Sequence, residues 1–184
     1  MATKKTETAK PAATEPDLIG QLSAENLIKN YVIASVGASA VPVPMFDIAA
    51  VAAIQLRMIQ KLSQLHGQPF SERAGRNVIT ALAGSVFGYG AGFAVAASAV
   101  KIIPVFGWMI GMASLPLVSG ASTYAVGRSL QKHFEDGGSL FDFSADGMRA
   151  YYQEQFEKGK EMAAKAKDAL MGGKAPAEDV SSAA

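Results

Sequence analysis

The sequence predicts an all-α chain: a membrane-associated helical bundle with a central Gly/Ala-rich helical hairpin and flanking amphipathic helices. Three observations carry this. Between the two polar ends no segment shows the period-two alternation of a half-buried strand, and Val and Ile sit inside Ala-rich helical runs. The 184 residues are 49% apolar with a mean hydropathy of +0.17, yet charges are withdrawn from the middle of the chain. Between Arg76 and Arg128 the one formal charge is Lys101. Small residues recur at helical spacing in that middle, at Gly84, Gly88 and Gly92 and again at Gly107 and Gly111.

The stretch "MATKKTETAKPAATEPD" (1–17) has lysines but no apolar run behind them, which reads as a disordered arm and not as a secretory signal. "GGKAPAEDVSSAA" (172–184) reads the same way, leaving 18–171 as one helical domain. A first helix is predicted from about Leu18 or Ser23 to Val41, ending before "PVP" because proline disfavours helix in the residue preceding it. A second runs from near Met45 to His66, with Asp47 in its first turn and Gly67 as C-cap. Its apolar stripe, Ile48, Val51, Ala52, Met58, Ile59, Leu62 and Leu65, opposes Arg57, Lys61 and Gln64. Tyr31–Val41 and Met45–Leu56 are too short to cross a hydrocarbon core and suit at most a shallow wedge.

Ser71 is placed to cap a third helix. From Val78 to Val100 that helix carries no charge, and a fourth apolar stretch follows from Ile102 to Gly127, with Pro104 near its start and Pro116 inside it. Each is long enough to span a bilayer, so 78–127 is expected to form a membrane hairpin. Gly84, Gly88, Gly92, Gly107 and Gly111 are its expected helix-packing positions, since small residues every four positions let backbones approach. Arg73, Arg76, Lys101, Trp108, Tyr124 and Arg128 are its expected interface anchors. Four cations flank the hairpin's open end (Arg73, Arg76, Arg128, Lys132) and one its turn, which predicts both termini in the cytoplasm. "HFEDGGSLFDFS" is a loop, and Ser144 caps a last helix to about Leu170 with a stripe of Met148, Tyr152, Phe156, Met162, Ala166 and Leu170. Its charge density keeps it out of the hydrocarbon.

The composition excludes much chemistry. There are no cysteines, hence no disulfide, thiolate metal site or cysteine nucleophile. A formal net charge of +1, with no basic field, argues against a nucleic-acid partner. The two histidines, His66 and His133, lie at helix ends, where the helix dipole accounts for them better than metal ligation by His133, Glu135 and Asp136 does. Ser119, Ser122 and Thr123 have no local base to make a triad and can bond to helix carbonyls instead. No cofactor, metal or catalytic residue is expected.

The runs "PVPMFDIAAVAAIQLRMIQKLSQLHGQPFSERAGRNVITAL" and "KIIPVFGWMIGMASLPLVSGASTYAVGRSLQKHFEDGGSLFDF" resemble the uncharacterised bacterial family that includes YcjF-like inner-membrane proteins. The resemblance covers roughly 28–160. It implies a helical membrane module whose relatives occur alone or joined to Era-like and dynamin-like GTPase domains. It does not imply GTP hydrolysis here, because the chain has no G-x-x-x-x-G-K-S/T phosphate loop and "GYGAG" falls within an uncharged helix. The expected function is therefore a non-enzymatic, membrane-embedded scaffold or adaptor. It would self-associate as a homo-oligomer through its small-residue faces and work with a separate GTPase. The alternative is a soluble helical protein that inserts its apolar hairpin when triggered. A pore or transporter is disfavoured by the lack of ionisable residues inside the stretches.

Overall fold

A computed structural model describes residues 15–39, 46–87 and 106–172, with side-chain surroundings given for most of residues 20–39 and for 49–84 and 115–172. Among the described residues there are five helices and no strand: α1 (Glu15–Ser39), α2 (Phe46–Leu65), α3 (Glu72–Phe87), α4 (Phe106–Glu135) and α5 (Ala145–Met171). The expected all-α class is what these residues build.

Local chemistry sets the boundaries. α1 starts at Glu15, ahead of the expected 18, because Pro16 falls in the first turn, where a missing N–H costs nothing. α2 ends where Gly67 takes φ 64°, a left-handed conformation that glycine adopts freely. Ser71 Oγ accepts from Ala74 N at 3.5 Å at the head of α3, and Ser144 Oγ accepts from Gly147 N at 3.3 Å at the head of α5. Gly137, at φ 87°, reverses the chain after α4.

α4 is the central element, packed most extensively against α5 and α1, then α2. Cross-helix contacts fix the directions. Ser39 meets Ser119 and Glu25 meets Arg128, so α1 and α4 are antiparallel. Gln55 meets Ser122 and His66 stacks on Phe134 with centroids 5.5 Å apart, so α2 runs parallel to α4. α3 folds back on α2 where Gly75 faces Leu56 and Ile59, and α5 folds back on α4. The chain ends of α1, α3 and α5 and the starts of α2 and α4 therefore share one end of the bundle. The core comprises Ile28, Val32 and Val36 of α1, Met58, Ile59 and Leu62 of α2, Val78 and Leu82 of α3, Ala121 to Leu130 of α4, and Tyr152, Phe156 and Ala163 of α5. Of the expected α2 and α5 stripes, Met58, Ile59, Leu62, Tyr152, Phe156 and Ala166 are buried, Val51, Ala52, Met148 and Met162 are half-buried, Leu65 and Leu170 are exposed, and the surroundings of Ile48 lie outside the description.

Among the described residues no helix is long and apolar enough to cross a membrane. Most of the expected membrane hairpin over 78–127 falls on residues 88–114, whose backbone or side-chain surroundings lie outside this description. Val78 and Leu82 at one end, and Ala121, Ala125 and Val126 at the other, are buried in this bundle. The absence of charge there reflects a protein interior, which excludes charge for the same dielectric reason that lipid does. The turn of that hairpin, 88–105, lies outside the described residues.

Candidate functional site

Two features of α4 distinguish it from an ordinary core helix: close backbone approach and a ladder of hydroxyls. A Cβ on Gly120 would stand 2.7 Å from Ala163 Cβ and 2.7 Å from Val36 Cγ2. One on Gly127 would stand 2.8 Å from Ile28 Cγ1, and one on α5's Gly159 would meet the Ala121 backbone at 2.9 Å. At these positions α1, α4 and α5 approach so closely that any side chain would require a neighbour to shift.

The ladder crosses four helices. Ser39 Oγ lies 2.7 Å from Ser119 Oγ and 2.9 Å from Ser35 O, with a single hydroxyl proton to donate to one of them. Ser35 Oγ and Thr123 Oγ1 share a hydrogen bond of 2.8 Å, both fully buried. Gln55 Nε2 donates to Thr123 Oγ1 and to Ser122 Oγ, each at 3.2 Å, and Ser122 Oγ is 3.2 Å from the Tyr152 hydroxyl. Burial raises the Tyr152 pKa above the ordinary phenol value, so the phenol remains a neutral hydrogen-bonding group. The ladder ties α1, α2, α4 and α5 in one register. Its hydroxyls are engaged with other helices and not only with local carbonyls as expected.

At the opposite end, the α4–α5 loop is built on Asp142. Its Oδ1 accepts from Ser139 Oγ and Ser139 N, each at 2.7 Å, and these bonds hold its carboxyl down to about 2. His133 Nε2 lies 2.9 Å from Ser139 O and 3.4 Å from Asp142. Glu135 accepts from Gln131 and Asp136 pairs with Lys132, so His133, Glu135 and Asp136 do not converge. No metal-holding cluster occurs among the described residues. Beside this loop a groove of about 380 Å³ opens against α3, lined by Arg73, Asn77, Leu140, Phe141 and Phe143 among others.

The anticipated positions are distributed as follows. Gly84 is exposed, and a Cβ there would meet nothing within 4 Å. Gly88, Gly92 and Lys101 lie outside the described residues, while Gly107, Gly111 and Trp108 lie in α4 where side-chain surroundings are not described. Arg73 and Arg76 are exposed on the first turns of α3, and Arg76 pairs with Glu72 at 2.8 Å. Tyr124 is half-buried beside Gly159, and Arg128 pairs with Glu25 of α1 at 3.0 Å. Gly120, Gly127 and Gly159 are packing positions outside the expected set. The signal for the first two is their spacing of seven in "GASTYAVG", which returns them to one face after two turns.

A family model described as "Domain of unknown function (DUF697)" matches residues 5–161. The chain belongs to the DUF697 family. A relative from Magnetospirillum gryphiswaldense, "Magnetosome membrane protein 22", is 64% identical over 157 residues, covering 85% of this chain and 80% of the relative. No solved structure matches. The match embraces α1 to α4 and most of α5, so the hydroxyl ladder and all three close-approach glycines belong to the DUF697 region.

Proposed function

We propose that this DUF697 chain is a non-enzymatic, membrane-anchored helical scaffold, with the five-helix bundle as its platform and the uncharged stretch between α3 and α4 as its anchor. One observation carries the reading. The uncharged halves of α1, α2, α3 and α4, free of charge but for Asp47, converge on the end of the bundle from which 88–105 departs. The magnetosome membrane relative supports it and suggests an organelle membrane of that kind as the setting.

The anchor is the uncharged stretch around Lys101, expected as a hairpin and lying outside the described residues. Both termini then stay on the bundle's side, which the positive-inside bias assigns to the cytoplasm. Self-association fits the open face at Gly84. A GTPase partner rests on the resemblance to YcjF-like proteins, and gentle solubilisation followed by copurification tests it.

The full chain is expected to float with vesicles and to resist carbonate extraction. A Phe93→Asp/Ile102→Asp variant should keep its helical circular dichroism and lose flotation. A wild-type chain that never floats would refute the anchor. Release by carbonate would favour triggered insertion instead, a reading supported by the way charged α5 sheathes one side of α4.

A further inference from the structure

Charge is arranged differently on the two sides of α4. α5 carries five acids and five bases, with ion pairs along its length at Asp146–Arg149, Glu154–Lys158 and Glu157–Lys160. The α2 and α3 helices carry four cations, Arg57, Lys61, Arg73 and Arg76, against Asp47 and Glu72. Glu72 is taken by Arg76. Arg57, Lys61 and Arg73 are exposed and pair with no carboxylate among the described side chains. The groove beside Arg73 contains no carboxylate in its lining, and Phe141 at its rim is 65% exposed. A phosphodiester on Arg73 would have polar Asn77 and Ser71 beside it, with Phe141 available to enter the interfacial layer.

We infer that the α2–α3 hairpin, with Phe141, is a docking face for an anionic phospholipid surface: Arg57, Lys61 and Arg73 meet headgroup phosphates, and α5 faces water. The inference rests on the membrane reading above and adds to it a lipid class and an orientation. Charge complementarity selects the occupant. A neutral bilayer offers these cations little, whereas an anionic surface attracts each basic side chain within a Debye length. The Ala-lined continuation of the same two helices, exposed at Ala49, Ala53 and Ala81, leads from the cations towards the uncharged end. The face thus changes from cationic to uncharged along its length, as a bundle leaning onto a bilayer requires.

The test is flotation of the full chain with phosphatidylcholine vesicles, with and without about a third phosphatidylglycerol. The wild type should prefer the anionic vesicles, and raising salt from about 0.1 to 1 M should erase the preference as the screening length falls from about 10 to 3 Å. Arg57→Gln/Lys61→Gln/Arg73→Gln should reduce the anionic preference about a hundredfold, at roughly fivefold per cation. Lys158→Gln/Lys160→Gln/Lys165→Gln on α5 should leave it unchanged. Because the chain has no cysteine, single labels at Ala53→Cys and Gln153→Cys report orientation directly. Headgroup-borne quencher should reach the first and not the second. Equal flotation with both vesicle types would overturn the lipid-charge inference while leaving the membrane reading intact. No flotation with either type would defeat both. Equal loss in the α5 variant, equal quenching at both labels, or heparin competing as well as anionic vesicles would overturn the assigned face.

Discussion

Gly84 and Gly159 are both exchangeable for alanine on propensity grounds, since each sits inside a helix where glycine costs about 1 kcal/mol. Their surroundings are opposite. Gly159 lies under α4, where an added Cβ would reach the Ala121 backbone at 2.9 Å, whereas a Cβ on Gly84 enters open space. Spacing every four residues singles out Gly84, yet the close approaches fall at Gly120, Gly127 and Gly159, and only at Gly159 is the nearest neighbour backbone. The seam around α4 uses missing side chains to hold three helices together within the chain. The open face of α3 has no such neighbour at Gly84.

Filling the seam should cost most. Gly159→Val forces its branches against a backbone that cannot rotate away, so about 3 kcal/mol of stability should be lost, read as a lower denaturant midpoint with unchanged slope. Wild-type stability in this variant would mean that α5 is not seated as described. Next comes the ladder. Thr123→Val preserves shape but leaves Ser35 Oγ without its partner and removes one acceptor from Gln55, at about 2 kcal/mol. Adding Ser35→Ala should recover part of that loss, because removing both partners is cheaper than stranding one; a fully additive double mutant would show that the bond contributes nothing. On the open face the sign reverses. Gly84→Ala should gain about 0.5 to 1 kcal/mol, and Gly84→Leu should leave the fold intact while weakening self-association in sedimentation. Destabilisation by Gly84→Ala would place a neighbour on α3 that the open surroundings do not contain.

These contrasts also mark what the sequence could reveal. Capping is local, so Gly67, Ser71 and Ser144 announced their helix boundaries, and periodicity announced the buried halves of α2 and α5 through Met58, Leu62, Tyr152 and Phe156. The destination of an uncharged helix was not legible, because lipid and protein interior impose the same exclusion on Ala121, Ala125 and Val126. Nor were the hydroxyl partners. Ser35 and Thr123 are 88 residues apart, and a serine on a helix can satisfy itself on its own backbone. Of the ladder, "GASTYAVG" gave only the density of small polar residues, which many helix contacts share.

The smallest effect is expected where the seam is closed off, at the α4–α5 loop. The Asp142 carboxyl is held at about 2 by the two Ser139 donors, with His133 adding to them, against an ordinary value near 4 in the unfolded chain. A lowered folded value contributes stability that is complete above about pH 4 and is lost as pH falls towards 2. Asp142 is exposed, so screening keeps the contribution small. Asp142→Asn should therefore leave stability at neutral pH almost unchanged and flatten its decline between about pH 4 and 2. An unaltered acid limb in the variant would transfer that titration to other carboxylates and leave the loop held by Gly137 and the His133–Ser139 contact.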